Sequence, residues 1–199
     1  MKRLSILALA LVVALGTAGL ALAANRSTVT QSGNDNDSTV TQYGNNYYEG
    51  TQHGDSNTSI AEQAGQSYAW VNQKGLSGSG NGNNNDSSII QDGQDNNSFV
   101  NQYGDGNSSI VDQYGSWNLV RVDQNGNGNI SMIQIGEDGY YAYSNQAAVT
   151  QQGNSNSSIV GQAGSGNTAK VVQFNDNNVS TINQNGQNNQ AIVNQTAGL

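Results

Sequence analysis

The chain has no cysteine and no proline. The first absence excludes a disulfide scaffold and any Cys-ligated metal site. The second removes the residue that best interrupts backbone pairing along a strand edge. Charge and aromatic rings are scarce, at 10% and 7% of 199 residues. Cations are rarest: six Lys and Arg stand against 14 Asp and Glu, a formal charge of −8. An acidic chain repels phosphate, so the function excludes nucleic-acid binding. The 34% apolar content is inflated by the first 24 residues. A conventional core of large aliphatics is therefore not expected from the remainder. Asn 31, Gln 21, Ser 22 and Gly 25 stand in their place, together 99 of 199 residues.

The opening segment is a separate object. Lys2 and Arg3 give a positive start, Leu4 to Leu22 run almost without a polar side chain, and Ala21-Leu22-Ala23 is a small-x-small cleavage site. Residues 1–23 thus read as a secretory signal peptide cleaved after Ala23, with an N-terminal membrane anchor as the alternative. Residues 24–199 then form an exported, polar domain. It keeps Arg26, Lys74, Arg121 and Lys170 against all 14 acids, and no later run is apolar enough to span a membrane.

The main signal is a repeat. Gln recurs at Gln31, Gln42, Gln52, Gln63, Gln73, Gln91, Gln102, Gln113, Gln124, Gln134, Gln151, Gln162, Gln173, Gln184 and Gln195. Nine of the fourteen intervals are 11 residues and three are 10; the other two carry insertions near 76–82 and 137–143. Six positions before the Gln stands Asn in 13 of 15 units. These include Asn25, Asn36, Asn46, Asn57, Asn85, Asn96, Asn107, Asn118, Asn145, Asn156, Asn167, Asn178 and Asn189. Ser or Ala precedes the Gln by four and Val, Ile or Met by two. Glycine follows it by two, at Gly33, Gly44, Gly54, Gly65, Gly75, Gly93, Gly104, Gly115, Gly126, Gly136, Gly153, Gly164 and Gly186.

The fixed offsets are all even, so in a strand they share one face, while the variable positions share the other. A helix cannot set residues two apart on one side, and Asn, Gly and Val are poor helix formers. Each unit is expected to be one strand closed by a glycine turn. Fifteen such strands build an all-β solenoid of about seven 22-residue strand-turn-strand coils with a thin interior. Buried amides are costly unless bonded. Stacking them at ~4.8 Å lets each donate to one neighbour and accept from the other. Glycine is expected after the Gln because a sharp reversal needs φ > 0. The two open ends are templates for further chains, and no dissimilar cap is evident, so head-to-tail assembly into a cross-β fibre is expected.

Residues Gln162-Ala-Gly164-Ser-Gly166-Asn167-Thr-Ala169-Lys-Val-Val-Gln173 resemble the curlin repeat of bacterial curli subunits, Q-x-G-x-G-N-x-A-x3-Q. Gln102 to Gln113 fits with Ser109 in the Ala position, and Gln-Tyr-Gly triplets recur at 42–44, 102–104 and 113–115. The resemblance covers nearly all of 25–199. It implies an extracellular functional amyloid, exported through an outer-membrane secretion pore with accessory factors and nucleated by a sister subunit. It also implies adhesion to abiotic or host surfaces, colonisation and a biofilm matrix shared with polysaccharide. The family's Gly-rich pore-addressing segment is not seen ahead of the repeats. The basic, irregular last repeat of nucleators is also not seen, which favours the major subunit, with the minor nucleator as the alternative.

Other chemistries find little support. No catalytic, cofactor or metal site is expected. His53 lacks partners at ligand or general-base spacing and takes the outward slot shared with Tyr43 and Tyr103. The Asp residues Asp35, Asp92, Asp112 and Asp123 fall in different slots, unlike calcium-binding repeats; they suit solubility before assembly. Exposed Trp70, Phe99, Tyr103, Tyr114 and Trp117 are open to surface contacts or to lateral packing. A soluble ice-binding solenoid needs a regular outward Thr array, whereas the slot before Gln holds Thr30, Glu62, Ile90, Asp112, Gly161 and Val172. A glycan-binding solenoid is the related alternative. Disorder suits the composition but not the kept frame.

Overall fold

The computed structural model describes residues 12–13, 25–75, 82–137 and 142–196; the expected signal peptide lies outside them except for two residues. Every regular element among the described residues is a strand, and every strand pairing is parallel. Parallel strands need connections that carry the chain back, and here each return is itself a strand. The strands therefore form two stacks, consistent with a β-solenoid.

The first stack holds, in order, β2 (Arg26–Ser32), β4 (Tyr47–His53), the second half of β5 (Thr58–Lys74) and the second half of β6 (Asp86–Tyr103). It continues through β8 (Leu119–Asn125), β11 (Gln146–Gln152), β13 (Thr168–Phe174) and β15 (Gln190–Thr196). The second stack starts with β1 (Val12–Val13) on β3 (Asp37–Gly44), then the first halves of β5 and β6. It continues through β7 (Ser108–Ser116), β9 (Ile130–Ile135), β12 (Ser157–Ser165) and β14 (Val179–Gln187). The short β10 (Ala142–Tyr143) lies between β7 and β12.

Burial alternates along every long strand, as a two-faced pleat requires: β7 reads half-buried, buried, half-buried throughout. The core is one column of small and branched residues per stack position, including Val71, Val100, Val122, Val149 and Val171 in the first stack. Ile89, Val111, Ile133, Val160 and Ile182 do the same in the second. One rung departs from this sizing. Tyr48 is fully buried and takes the slot where other rungs hold Ser, Ala or Val. A Cβ on Gly50 would meet its hydroxyl at 2.6 Å, so the glycine is what makes room for the ring. The Tyr48 hydroxyl and Ser59 Oγ lie 2.6 Å apart and share a hydrogen bond. Burial pushes the phenol above its ordinary pKa.

The stacks resume one corner later after each insertion. After Lys74 the stacked glycine position is taken by Gly82, whose N–H bonds the His53 carbonyl at 3.1 Å. After β9 it is taken by Ala142, which pairs with Gly115. Two of the 10-residue intervals have a plain cause. The corners at 44–46 and 65–67 are one residue shorter than that at 93–96, and the register shifts between Gln66 and Ser67 to absorb Asp95.

Candidate functional site

Both stacks carry a continuous amide row inside them. In the first, Gln31 Nε2 donates to Gln52 Oε1 at 2.7 Å, and the same bond repeats through Gln73, Gln102, Gln124, Gln151, Gln173 and Gln195. Each bond runs in one sense, so donors point toward β15 and acceptors toward β2. From Gln52 onward the second N–H of each Gln crosses the interior to a backbone carbonyl of the facing stack, as Gln102 does to Asp86 O at 2.7 Å and Gln195 to Val179 O at 2.8 Å. Glutamine is the side chain that satisfies both directions: it is long enough to staple the stacks and has two donors and an acceptor. Gln52, Gln63, Gln73, Gln102, Gln113, Gln124 and Gln151 are all fully buried. Leaving any of these buried groups without its partner would cost about 1–3 kcal/mol.

The second stack begins the same way, Gln42 to Gln63 to Gln91 to Gln113, at 2.8–2.9 Å. There it breaks. The repeat frame expects Gln134 next, but Gln134 pairs with Asp112 in register and is exposed. Ile135 pairs with Gln113 on one side and Gln162 on the other, and is fully buried. Gln162 Oε1 is left buried with no partner, and the row resumes with Gln162 to Gln184 at 2.8 Å. This unit is therefore framed on Ile135, which restores an 11-residue interval from Gln124. Its corner residue is Asn129 and its core residue Ile133, while Met132 faces out.

The asparagines hold the corners. In the second stack Asn36, Asn57, Asn85, Asn107, Asn129, Asn156 and Asn178 form an unbroken row. The N–H and Nδ2 of each later residue donate to Oδ1 of the earlier one, as Asn107 does to Asn85 at 3.0 and 3.1 Å. This sense is opposite to that of the glutamines. The remaining Nδ2 hydrogen caps a turn carbonyl, as in Asn107 to Gly126 O at 2.9 Å. Asn96, Asn118, Asn145, Asn167 and Asn189 do the same in the first stack. Ser67 takes the missing place and receives no Asn-like role beyond its backbone bond to Asn46 Oδ1.

The turn glycines stack as well. Gly33, Gly44, Gly54, Gly65, Gly93, Gly104, Gly115, Gly126, Gly153, Gly164 and Gly186 all have φ between 95° and 130°. A Cβ on Gly126 would fall on the Gly153 carbonyl oxygen. Two expected glycines stand apart: Gly75 lies outside the stacked column, whose place Gly82 fills, and Gly136 turns into the insertion at φ 72°.

Sequence reasoning missed two features. The residue before each corner Asn is left-handed, for example Asp35 at φ 54° and Trp117 at φ 63°; only Gly106, Gly128 and Gly166 signal it in sequence. A further row runs along the outer corner through Asn34, Asp55, Asn83, Asp105, Asn127, Asn154 and Asp176. Each backbone N–H donates to the next Oδ1, and no two aspartates are adjacent in the row. That spacing keeps like charges a rung apart. In the sequence this row shows only as Asn or Asp recurring three residues after the repeat Gln in most of these units.

One column is not satisfied. Ser38, Ser87, Ser109, Ser131, Ser158 and Ser180, equivalent positions of the second stack, have buried hydroxyls with no partner. Small size is the property that position keeps. His53 is exposed beside Ser32. Among the described residues no three His, Asp or Glu side chains are grouped to hold a metal ion.

Three segments of the chain, residues 23–44, 82–115 and 144–174, match the family model described as Curlin associated repeat. No curated protein matches the chain. The three segments lie in early, middle and late rungs, and in them the chain is similar to the curlin repeat.

Proposed function

We propose that this chain is the structural subunit of an extracellular amyloid fibre and that copies join end to end, each continuing the stacks of the one before. The polarity of the glutamine rows carries this reading. Among the described residues no glutamine amide donates to Gln31 Oε1 or Gln42 Oε1 at one end. At the other end Gln184 and Gln195 each direct one N–H to a backbone carbonyl and have a second to give. The corner asparagines are polar in the reverse sense, so the two ends are complementary in both rows. The backbone edges of β2, β14 and β15 are likewise open among the described residues. An open, flat edge of this kind is a template for the next chain. Curlin repeats are those of a structural amyloid family, which agrees with a non-enzymatic role.

On this reading residues 1–23 are the export signal, and the mature chain passes an outer-membrane pore with accessory factors. It polymerises on a sister nucleator as the major subunit, in about seven coils per copy. The fibre serves adhesion, surface colonisation and biofilm matrix. The test is assembly of purified residues 24–199 followed by an amyloid dye and circular dichroism. A lag abolished by seeds, with coil-to-strand conversion, supports the reading. Gln31→Ala and Gln195→Ala should slow elongation more than Gln113→Ala. A soluble folded chain that never polymerises would refute it, and growth without lag that seeds a lagging sister would assign the nucleator role instead.

A further inference from the structure

The outward residues of the two stacks differ in charge. Among the described residues the four cations Arg26, Lys74, Arg121 and Lys170 all lie on the outward face of the first stack, with Glu49 and Asp123 as its carboxylates. One of those carboxylates is already paired, Asp123 with Arg121 at 2.6 Å. The outward face of the second stack carries Asp37, Glu62, Asp86, Asp92 and Asp112 and no cation. Down its centre runs an apolar column in strict register: Ile60 beside Ser88, Ser88 beside Ile110, Ile110 beside Met132, Met132 beside Ile159. Ile60, Met132 and Ile159 are 42–46% exposed. An apolar stripe on a polar protein, interrupted only at Ser88 and unbroken from Ile110 through Met132 to Ile159, marks a contact surface.

We infer that neighbouring filaments pack side by side through unlike faces, the cationic face of one copy against the acidic, striped face of another. This rests on the fibre reading above. The partner is a second copy of this chain for two reasons. Both faces repeat at the same strand spacing, so side chains of two parallel filaments mesh at every rung. Like-faced pairing would also set five carboxylates against five, whereas unlike faces bring cations to acids. One exposed ion pair is worth only ~0–1 kcal/mol. A filament repeats it in every subunit, so weak contacts sum to bundling. The contact is heterologous, so it does not close and builds sheets of filaments.

The experiment uses four forms of the mature chain: wild type, Lys74→Glu with Lys170→Glu, Glu62→Lys with Asp86→Lys and Asp92→Lys, and all five changes together. Their register neighbours are uncharged, and their side chains take no part in the amide rows, which Asp86 and Asp92 meet only through backbone carbonyls that the substitutions keep. Filament width by electron microscopy and bundle mass by low-speed sedimentation are read at low and high salt, with elongation rate as control. Each single-face variant, which leaves both faces with the same net sign, is expected to give single filaments that elongate at the wild-type rate. The combined swap, which exchanges the net signs of the two faces, is expected to bundle again, and salt should disperse wild-type bundles. Bundles indifferent to the changes on either face, or a swap that fails to restore them, would overturn the pairing while leaving the fibre intact. Loss only with the acidic-face variant would replace it by packing of two striped faces. A wild type without filaments would take down the fibre reading, and this pairing with it.

Discussion

Replacing Ile135 by glutamine should strengthen the protein, although it puts a polar side chain into a fully buried position. Ile135 separates Gln113 from Gln162 in an otherwise continuous row. A glutamine there would accept from Gln113 Nε2, whose bond to Asn97 O is long at 3.3 Å. It would donate to Gln162 Oε1, now buried without a partner. Its second N–H would reach a facing carbonyl, as Gln124 does to Ser108 O at 2.9 Å. Three bonds at about 1 kcal/mol net each, plus about 1 kcal/mol for relieving the orphaned oxygen, favour the change by about 4 kcal/mol. Losing the buried isoleucine opposes it by about 2 kcal/mol. The expected net gain is about 2 kcal/mol, read as a higher denaturant midpoint for dissolution of fibres. Ile135→Ala is the control and should lose about 2–5 kcal/mol by leaving a cavity. Gln134→Ala should change the midpoint by less than about 0.5 kcal/mol, as an exposed site does. A glutamine variant as weak as the alanine variant, or a costly Gln134→Ala, would refute the register on which this account of the row depends.

Other perturbations follow from the same geometry. Gly126→Ala forces an L-residue to φ 130° and sets its Cβ on the Gly153 carbonyl, so it should block assembly, whereas Gly106→Ala at φ 64° meets nothing within 4 Å and should cost only ~1–2 kcal/mol. Comparable assembly of the two variants by dye binding would contradict this. Gly50→Val should be strongly destabilising alone and tolerated with Tyr48→Ala, since the valine then fills the space of the ring; additive losses in a double-mutant cycle would show that the two sites are independent. Burial pushes the Asp112 carboxyl above the usual range, and its Oδ1 lacks a partner. A raised acid holds its proton in the folded state where the unfolded chain has lost it. Its effect on stability is thus most favourable at low pH and declines as pH rises from the unfolded to the folded value. Asp112→Asn should raise stability at neutral pH and flatten that part of the pH profile; an unchanged profile in denaturant titrations would count against it.

The alternation of burial, the strand at each unit and the amide rows were legible because the residues at even offsets are nearly invariant along the chain. A pleat converts that pattern directly into a face. The misplaced unit shows where such reasoning stops. Gln134 matched the frame by identity, but the frame is set by spacing and corner residues, and Asn129, Ser131 and Ile133 point to Ile135. A frame fixed on one residue type cannot see a rung that lacks it. Glycine identity misled similarly at Gly75 and Gly136, because insertions move the corner downstream to Gly82 and Ala142. The opposite polarity of the Gln and Asn rows, and the outer row through Asp55 and Asp105, depend on which strand lies beside which. Composition contains neither.

The most direct test of the central claim is the mass per unit length of unstained fibres. If copies join end to end, the eight strands of the first stack at ~4.8 Å each allot one chain to about 38 Å of a single filament. One chain per ~4.8 Å would mean that each copy contributes a single layer stacked on identical layers, and would contradict continuation of the coil from subunit to subunit.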